Sequence, residues 1–376
     1  MKHFLSMLTV FFMLAFFFYG CGNKNSPPEE SITPEPPVTA SPSLTFTPTP
    51  LPTATLSPTP TPEPTPTPYN GPVNPLTGTP VDKEISMIRP FAVMLNNIRE
   101  AQPQHGQSQA DIIYEVLAEG GITRMLAVYA DISQAGTIGS IRSARTYYID
   151  LAQGHDAIYV HAGGSPQAYS NLSSRDIDNI DFCYGYDDMC YRDRSRIEAG
   201  YAYEHTLFTS GELLSQVYET NIRTEHDEAW RYHMNFSDDG TPPGGKSAQH
   251  ISAVFSDYKS SVFDYDNDTG LYMVSQYDGP YTDGNSQQQV AVTNVIIINT
   301  SVSMISGDNM GRIDVDLIGS GSAAFACGGR YIDITWTKDS FTSQLVYTDT
   351  DGNEIALGRG KTYICILPLS KSPVIE

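Results

Sequence analysis

Eight residues between positions 115 and 165 have side chains suited to acid–base or anion chemistry: Glu115, Glu119, Arg124, Arg142, Ser143, Arg145, His161 and Ser165. Arg142 and Arg145 stand three apart in Gly139-Ser-Ile-Arg-Ser-Ala-Arg145, each beside a small or hydroxyl residue, in a chain with 43 acidic and 22 basic residues. If Ser140 caps a helix, both guanidiniums lie on its first turn, where the helix dipole opposes positive charge and a negative partner is needed. Two sources fit. Glu115 and Glu119, four apart on one face of a preceding helix, would neutralise the pair from inside as a buried polar network. A carboxylate or phosphate ligand would do so from outside, held by both arginines, the free helix amides, His161 and the turn Gly163 to Ser165. An enzyme would use the same set differently, with Glu115 or Glu119 as general acid or base and His161 and the arginines stabilising an oxyanion.

Other motifs carry less. Gly240-Thr-Pro-Pro-Gly-Gly-Lys-Ser247 matches the phosphate-loop pattern letter by letter. Two adjacent prolines remove amide donors, though, and the alternation Ile251, Ala253, Phe255 that follows reads as a strand where a helix is required. Asp264 to Gly270 resembles the start of a calcium loop, but Ser275 stands where the bidentate glutamate belongs, so a hairpin turn is expected. Ser165 lacks the glycine that a nucleophile elbow needs two places on, and Pro166 marks it as a helix cap. Tyr184, Tyr186, Tyr191, Tyr201 and Tyr203 crowd one segment with Arg192, Arg194 and Arg196. Aromatic faces beside polar groups suit sugar rings; a packed surface loop is the plainer reading.

The elements that must position these residues alternate. Phe91 to Ile98 reads as a buried strand and Ser108 to Glu119 as a helix capped by Ser108 and Asp111 and stopped by Gly120-Gly121. Ile122 to Ala130 is the next strand. A helix from about Ser140 to Gln153, a strand Ala157 to His161 and a helix opened by Ser165-Pro166 complete an α/β region. Beyond His250 the pattern becomes strands and turns, with VAVTNVIIIN, RYIDITW and KTYICILPL as the strongest strands. Two domains are therefore expected, an α/β one over 72–235 and a mainly β one over 249–376, joined by a linker at 236–248.

NPLTG at Asn74 to Gly78, RPFAVMLNN at Arg89 to Asn97, QPQHGQSQADIIYEVLAEGGITR from Gln102 to Arg124, GSIRSAR, and DAIYVHAGGSPQA from Asp156 to Ala168 resemble the YerB-like lipoproteins of the bacterial envelope, a family of unknown function with paired N- and C-terminal domains. VTNVIIIN, GRIDVDLIGSGSAAF and ITWTK are similar in order and spacing, so the likeness spans nearly everything after residue 72. It implies a layered β/β/α sandwich for the first domain and supplies no activity.

The ends place the chain. Lys2 and His3 precede a 16-residue apolar run, Phe4 to Tyr19, followed by Gly20-Cys21. The run is shorter than the roughly 20 residues a membrane helix needs, so residues 1–20 read as a lipoprotein signal peptide, with Cys21 as the lipidated residue. From 21 to 71 the chain is a tether: 15 of its 26 prolines fall between Pro27 and Pro68, a composition that stays extended and buries no core. A net charge of −21 argues against nucleic acid, and no nucleotide, cofactor or metal is expected. The expected partners are the membrane, through the lipid, and a cell-wall glycan, an anionic ligand or an envelope protein. Four further cysteines permit Cys183–Cys190 and Cys327–Cys365 bridges, or buried free thiols. Three functions stay open: a binding or regulatory module near the cell wall, a wall hydrolase or transferase, and a scaffold for wall-synthesis enzymes.

Overall fold

In the computed structural model, residues 69–376 are described; the signal segment, Cys21 and the spacer up to residue 68 lie outside them. Strand β1 (Phe91–Asn96), β2 (Ile112–Leu117) and β3 (Thr123–Tyr129) are buried at every position. They form an antiparallel set in the order β2-β3-β1. The expected helix over 108–119 is thus a strand. Ile112, Ile113 and Val116 are β-branched, and a strand buried on both faces presents a continuous apolar run that mimics a helix segment. Asp111 caps nothing of its own: its carboxylate accepts from the amide of Ala130 across the sheet. Gly120 and Gly121 have φ of +70° and +78°. They turn β2 into β3, a conformation that glycine adopts without strain.

The sheet continues beyond β1. After β4 (Thr137–Gly139), helix α1 (Thr146–Gly154) leads to β5 (Ile158–His161), and helix α2 (Pro166–Ser174) to β6 (Asn179–Asp181). Strands β1, β5 and β6 are mutually parallel. Strand β7 (Leu207–Ser210) pairs with β4 apart from the large sheet.

The C-terminal half is strand-rich. Strands β8 (His250–Val254), β9 (Ser260–Asp266) and β10 (Leu271–Gln276) form a second, antiparallel sheet. The turn between β9 and β10 uses the Asp266 carboxylate to accept from Asp268 and Thr269, as a hairpin requires. Strands β11 (Asn294–Thr300), β12 (Gly319–Cys327), β13 (Arg330–Lys338) and β14 (Thr362–Pro368) instead join the large sheet. Its order is β13-β12-β11-β14-β2-β3-β1-β5-β6, with Lys246–Ser247 on the β13 edge. The crossing from one half to the other is the parallel pair β2–β14, with Ile112 opposite Thr362 and Glu115 opposite Cys365.

Alternating side chains face two cores. Val93, Ile113, Val295 and Tyr363 pack with Ile251, Phe263 and Val274 of the second sheet. Met94, Tyr114, Ile296 and Ile364 pack with Tyr147, Tyr148 and Leu151 of α1 and Leu172 of α2.

Cys183, Cys190, Cys327 and Cys365 are free thiols. Cys327 and Cys365 are excluded as partners because β11 separates their strands and their side chains point into opposite cores. Burial pushes both thiols up, Cys327 to about 11 and Cys365 well above its ordinary value. A thiol reagent should therefore label exposed Cys183 in the native protein and reach Cys327 and Cys365 only after unfolding, read by mass spectrometry of labelled peptides. A Cys327–Cys365 bridge found there would contradict this sheet order.

The NPLTG turn closes on Asp111, whose carboxylate accepts from the Asn74 side chain at 2.9 Å and the Ala130 amide at 2.7 Å. Burial nonetheless raises its pKa from 3.8 to about 6. The folded state then binds the proton more tightly, so this stabilisation is complete below pH ~4 and is lost as pH rises through about 6. Urea unfolding of wild type and Asp111→Asn should diverge across that window, wild type losing about 1–3 kcal/mol relative to the variant. Parallel pH profiles would refute the assignment.

Candidate functional site

The stretch 139–145 is not helical. Ser140 to Ala144 runs extended across the carboxyl ends of β1 and β5. Asn96 donates its amide to Ser140, Arg142 to Met94, Ala162 to Arg142, Ala144 to Gly163 and Ser165 to Ala144. Ser140 caps no helix: its carbonyl, which would accept the first bond of a helix, accepts the Asn96 amide of β1 instead. Helix α1 begins only at Thr146, with Arg145 in extended conformation (φ −135°) as its cap residue. The two arginines therefore point from an irregular segment laid over strand ends, where open α/β sheets place their ligands.

Two guanidiniums meet there on one carboxylate. Glu119 receives Arg124 at 3.2 Å and Arg145 in a shorter contact. Arg124 also donates to the Ser143 carbonyl at 3.1 Å. Burial would raise the Glu119 pKa, but the two arginines outweigh it and hold it below its usual value. Arg142 is left over. Its one protein acceptor among the described residues is the backbone carbonyl of Glu204, 3.3 Å away, and it makes no ion pair. Its Nε is buried with no partner, as is the Nε of Arg124. Burial, and then the like charge of Arg124, push the Arg142 pKa down to about 10, with Glu204 pulling the other way. This position is expensive for a cation.

Glu115 is elsewhere. Sequence reasoning placed it with Glu119 on one helix face; on a strand it points into the core between the sheets, fully buried. Oε1 accepts from Asn97 at 2.8 Å and Thr123 at 2.7 Å and lies 2.9 Å from Lys259 Nζ. Oε2 accepts from Ser261 and Tyr363, both at 2.7 Å. Lys259 also donates to Ser261 and Gln276. Burial acts first on both ions. It depresses the Lys259 ammonium even with Glu115 opposite, whereas Lys259, Ser261 and Thr123 together hold Glu115 below its usual value. The network ties β2 and β3 to β9 and β14. Lys259 and Tyr363 escaped notice in the sequence because a lone lysine in a turn and a tyrosine in an apolar strand carry no periodic signal.

His161 ends β5, fully buried. Nδ1 faces the Gly163 carbonyl at 2.9 Å and Nε2 the Asn179 side-chain oxygen at 3.2 Å. It holds the Gly163 turn and does not reach the arginines by any hydrogen bond. Ser165 is a cap, accepting the Ala168 amide at 3.1 Å. Behind the same turn, Asp181 accepts from the Gly163 and Cys183 amides and from Tyr169. Tyr169, Asn179, Asp181, Tyr184 and Tyr186 line a cavity of about 550 Å³. Tyr191, Tyr201 and Tyr203 lie outside it; Arg196 is spent on backbone carbonyls of Ala101, Pro103 and His205. Lys246, of the phosphate-loop pattern, sits on the sheet edge against Asp333. No helix among the described residues is long and apolar enough to cross a membrane.

A continuous sheet built from both halves of the chain, with an irregular arginine-bearing segment over its strand ends, defines a two-part, sheet-rich protein. Residues 76–225 match the N-terminal domain, and 251–364 the C-terminal domain, of a protein family of unknown function, DUF3048, and the chain belongs to that family. Among its relatives is YerB of Bacillus subtilis strain 168, named as a candidate lipoprotein, which is 31% identical over 301 residues, 78% of this chain and 86% of that one. The crystal structure of Bacillus subtilis YerB has the same fold, with a TM-score of 0.70 at 29% identity, covering 81% of this chain and 99% of that chain. The resemblance carried by NPLTG, GSIRSAR and their neighbours is therefore a true one.

Proposed function

We propose that this chain is a lipid-anchored extracytoplasmic protein that works near the cell wall as a non-enzymatic binding module, and that Arg124, Arg142 and Arg145 hold an anionic ligand. The observation that carries the reading is the imbalance at the site: three guanidiniums against Glu119, which pairs with two of them, and Glu204, which makes no ion pair with the third, and a buried, unpartnered Arg142 Nε. The signal-like N-terminus with Cys21 and the name of the Bacillus relative support the anchor. The layered β/β/α reading of the first half is supported by the two cores on opposite faces of the large sheet. Against the hydrolase reading stand the burial of Glu115 between the sheets and the two arginines bound to Glu119.

The test is calorimetric titration of the full chain in detergent micelles with inorganic phosphate and with acetate, beside Arg142→Ala, together with product analysis after incubation with purified wall fragments. Saturable anion binding that the variant loses is expected. Equal binding by a folded variant would remove the arginine site, and product release from the fragments would overturn the non-enzymatic reading.

A further inference from the structure

We infer that the arginine segment and the tyrosine cavity beside it form one recognition surface, and that its ligand is an acidic saccharide: a sugar ring carrying a carboxylate or phosphate. The inference rests on the anion reading above and adds the chemistry of the rest of the ligand. The two halves of the surface meet at Gly163. The Gly163 carbonyl accepts the Ala144 amide, and its amide donates to Asp181 of the cavity. A side chain built at Gly163 would stand 3.6 Å from Cys183 Sγ, 3.7 Å from Ser143 Oγ and 3.9 Å from the Tyr169 hydroxyl. The bare glycine therefore leaves a floor from which a ligand touches Ser143 on one side and Tyr169 on the other. Arg142 is next to Ser143 in the chain, and its carbonyl accepts the amide of Ala162, the residue before Gly163, so the arginine segment is fastened along this floor.

The cavity has the features that suit a sugar. Its volume falls within the range of small-molecule sites, roughly 300–1,000 Å³. Tyr184 is 71% exposed and packs edge-to-face on Tyr169 at 5.9 Å, so an apolar ring face is presented to solvent. Asp181 is pinned by two backbone amides and the Tyr169 hydroxyl, which fixes a carboxylate for a ligand hydroxyl without loss of side-chain freedom on binding. A free phosphate would leave the aromatic wall unused; a neutral glycan would leave the excess guanidinium charge unused. A long polyanion would meet the field of a chain with net charge −21 at every charge it carries, a saccharide with one acid group at a single one.

Ligand-observed NMR and calorimetry on the full chain in micelles would compare three probes. These are the carboxylate-bearing disaccharide N-acetylglucosaminyl-N-acetylmuramic acid, the neutral N-acetylglucosamine dimer, and inorganic phosphate. The disaccharide acid should bind at least ~10-fold more tightly than either of the others. Tyr184→Ala, a surface change, should cost the acid roughly tenfold and leave phosphate unaffected, while Arg142→Ala weakens both. If phosphate binds as tightly as the acid and Tyr184→Ala changes nothing, the saccharide inference falls and the anion site stands. Equal binding of the neutral dimer and the acid overturns the inference together with the anion site's role, as does failure of all three probes to bind.

Discussion

Glu115→Gln should destabilise the fold by about 3–5 kcal/mol, because it leaves the Lys259 ammonium buried opposite a neutral amide. The Glu115 carboxylate is met by Asn97, Thr123 and Lys259 on one oxygen and by Ser261 and Tyr363 on the other. Its partners come from both halves of the chain, so the loss should appear as weaker cooperation between the two sheets, not as local fraying. Lys259→Met should be nearly as costly, since it strands the carboxylate. The pair Glu115→Leu with Lys259→Met should recover most of the loss, because two apolar groups of similar volume need no partners. Chemical denaturation of the four proteins would measure these losses and the recovery. A loss under about 1 kcal/mol for Glu115→Gln would mean that the ion pair contributes little and that the apolar cores alone join the sheets.

Arg142→Ala and Arg145→Ala, three residues apart, should behave oppositely. Arg145 is bound to Glu119 and mostly buried, so its loss should cost about 1–3 kcal/mol of stability while Arg124 keeps the carboxylate satisfied. Arg142 has no carboxylate and an unpartnered Nε, and burial and Arg124 push its pKa down to about 10. Removing it relieves a desolvated charge, so stability should stay constant or rise by up to about 1 kcal/mol. Affinity for an anion should fall by roughly 10- to 100-fold. Thermal unfolding and phosphate titration of both variants would separate the roles. Destabilisation by Arg142→Ala equal to that by Arg145→Ala would mark Arg142 as structural and remove the argument for a ligand.

Much of this was readable from local pattern. Phe91 to Asn96, Thr123 to Tyr129 and Ile158 to His161 were visible as strands because each is a short apolar run bounded by turn residues. The Ser165-Pro166 start of α2 was visible because cap chemistry is confined to four consecutive residues. The arginines of GSIRSAR and the Glu119 that neutralises one of them were picked out by charge alone in an acidic chain. The misreadings share a cause. Ile112 to Leu117 is buried on both faces, so its apolar residues lose the alternation that separates strand from helix, and Ser108, Asp111 and Gly120-Gly121 looked like helix caps while serving turns and cross-strand contacts. Ser140 looked like a cap because nothing local reveals that its carbonyl is claimed by Asn96, 44 residues away.

Local spacing thus sufficed for the family's motifs, for most strands and for the charge imbalance at the arginines. Which carboxylate meets which cation was decided by topology. A strand turns every second side chain to the opposite face, so Glu115 went inward to Lys259 of the other half, while Glu119, in the turn beyond, stayed with Arg124 and Arg145. The parallel pairing of β2 with β14, more than two hundred residues apart, brings that second half into contact. Long-range pairing of this kind rests on complementary surfaces that exist only once both strands are folded, which is why neither the Glu115–Lys259 tie nor the seam at Gly163 could be read from neighbours along the chain.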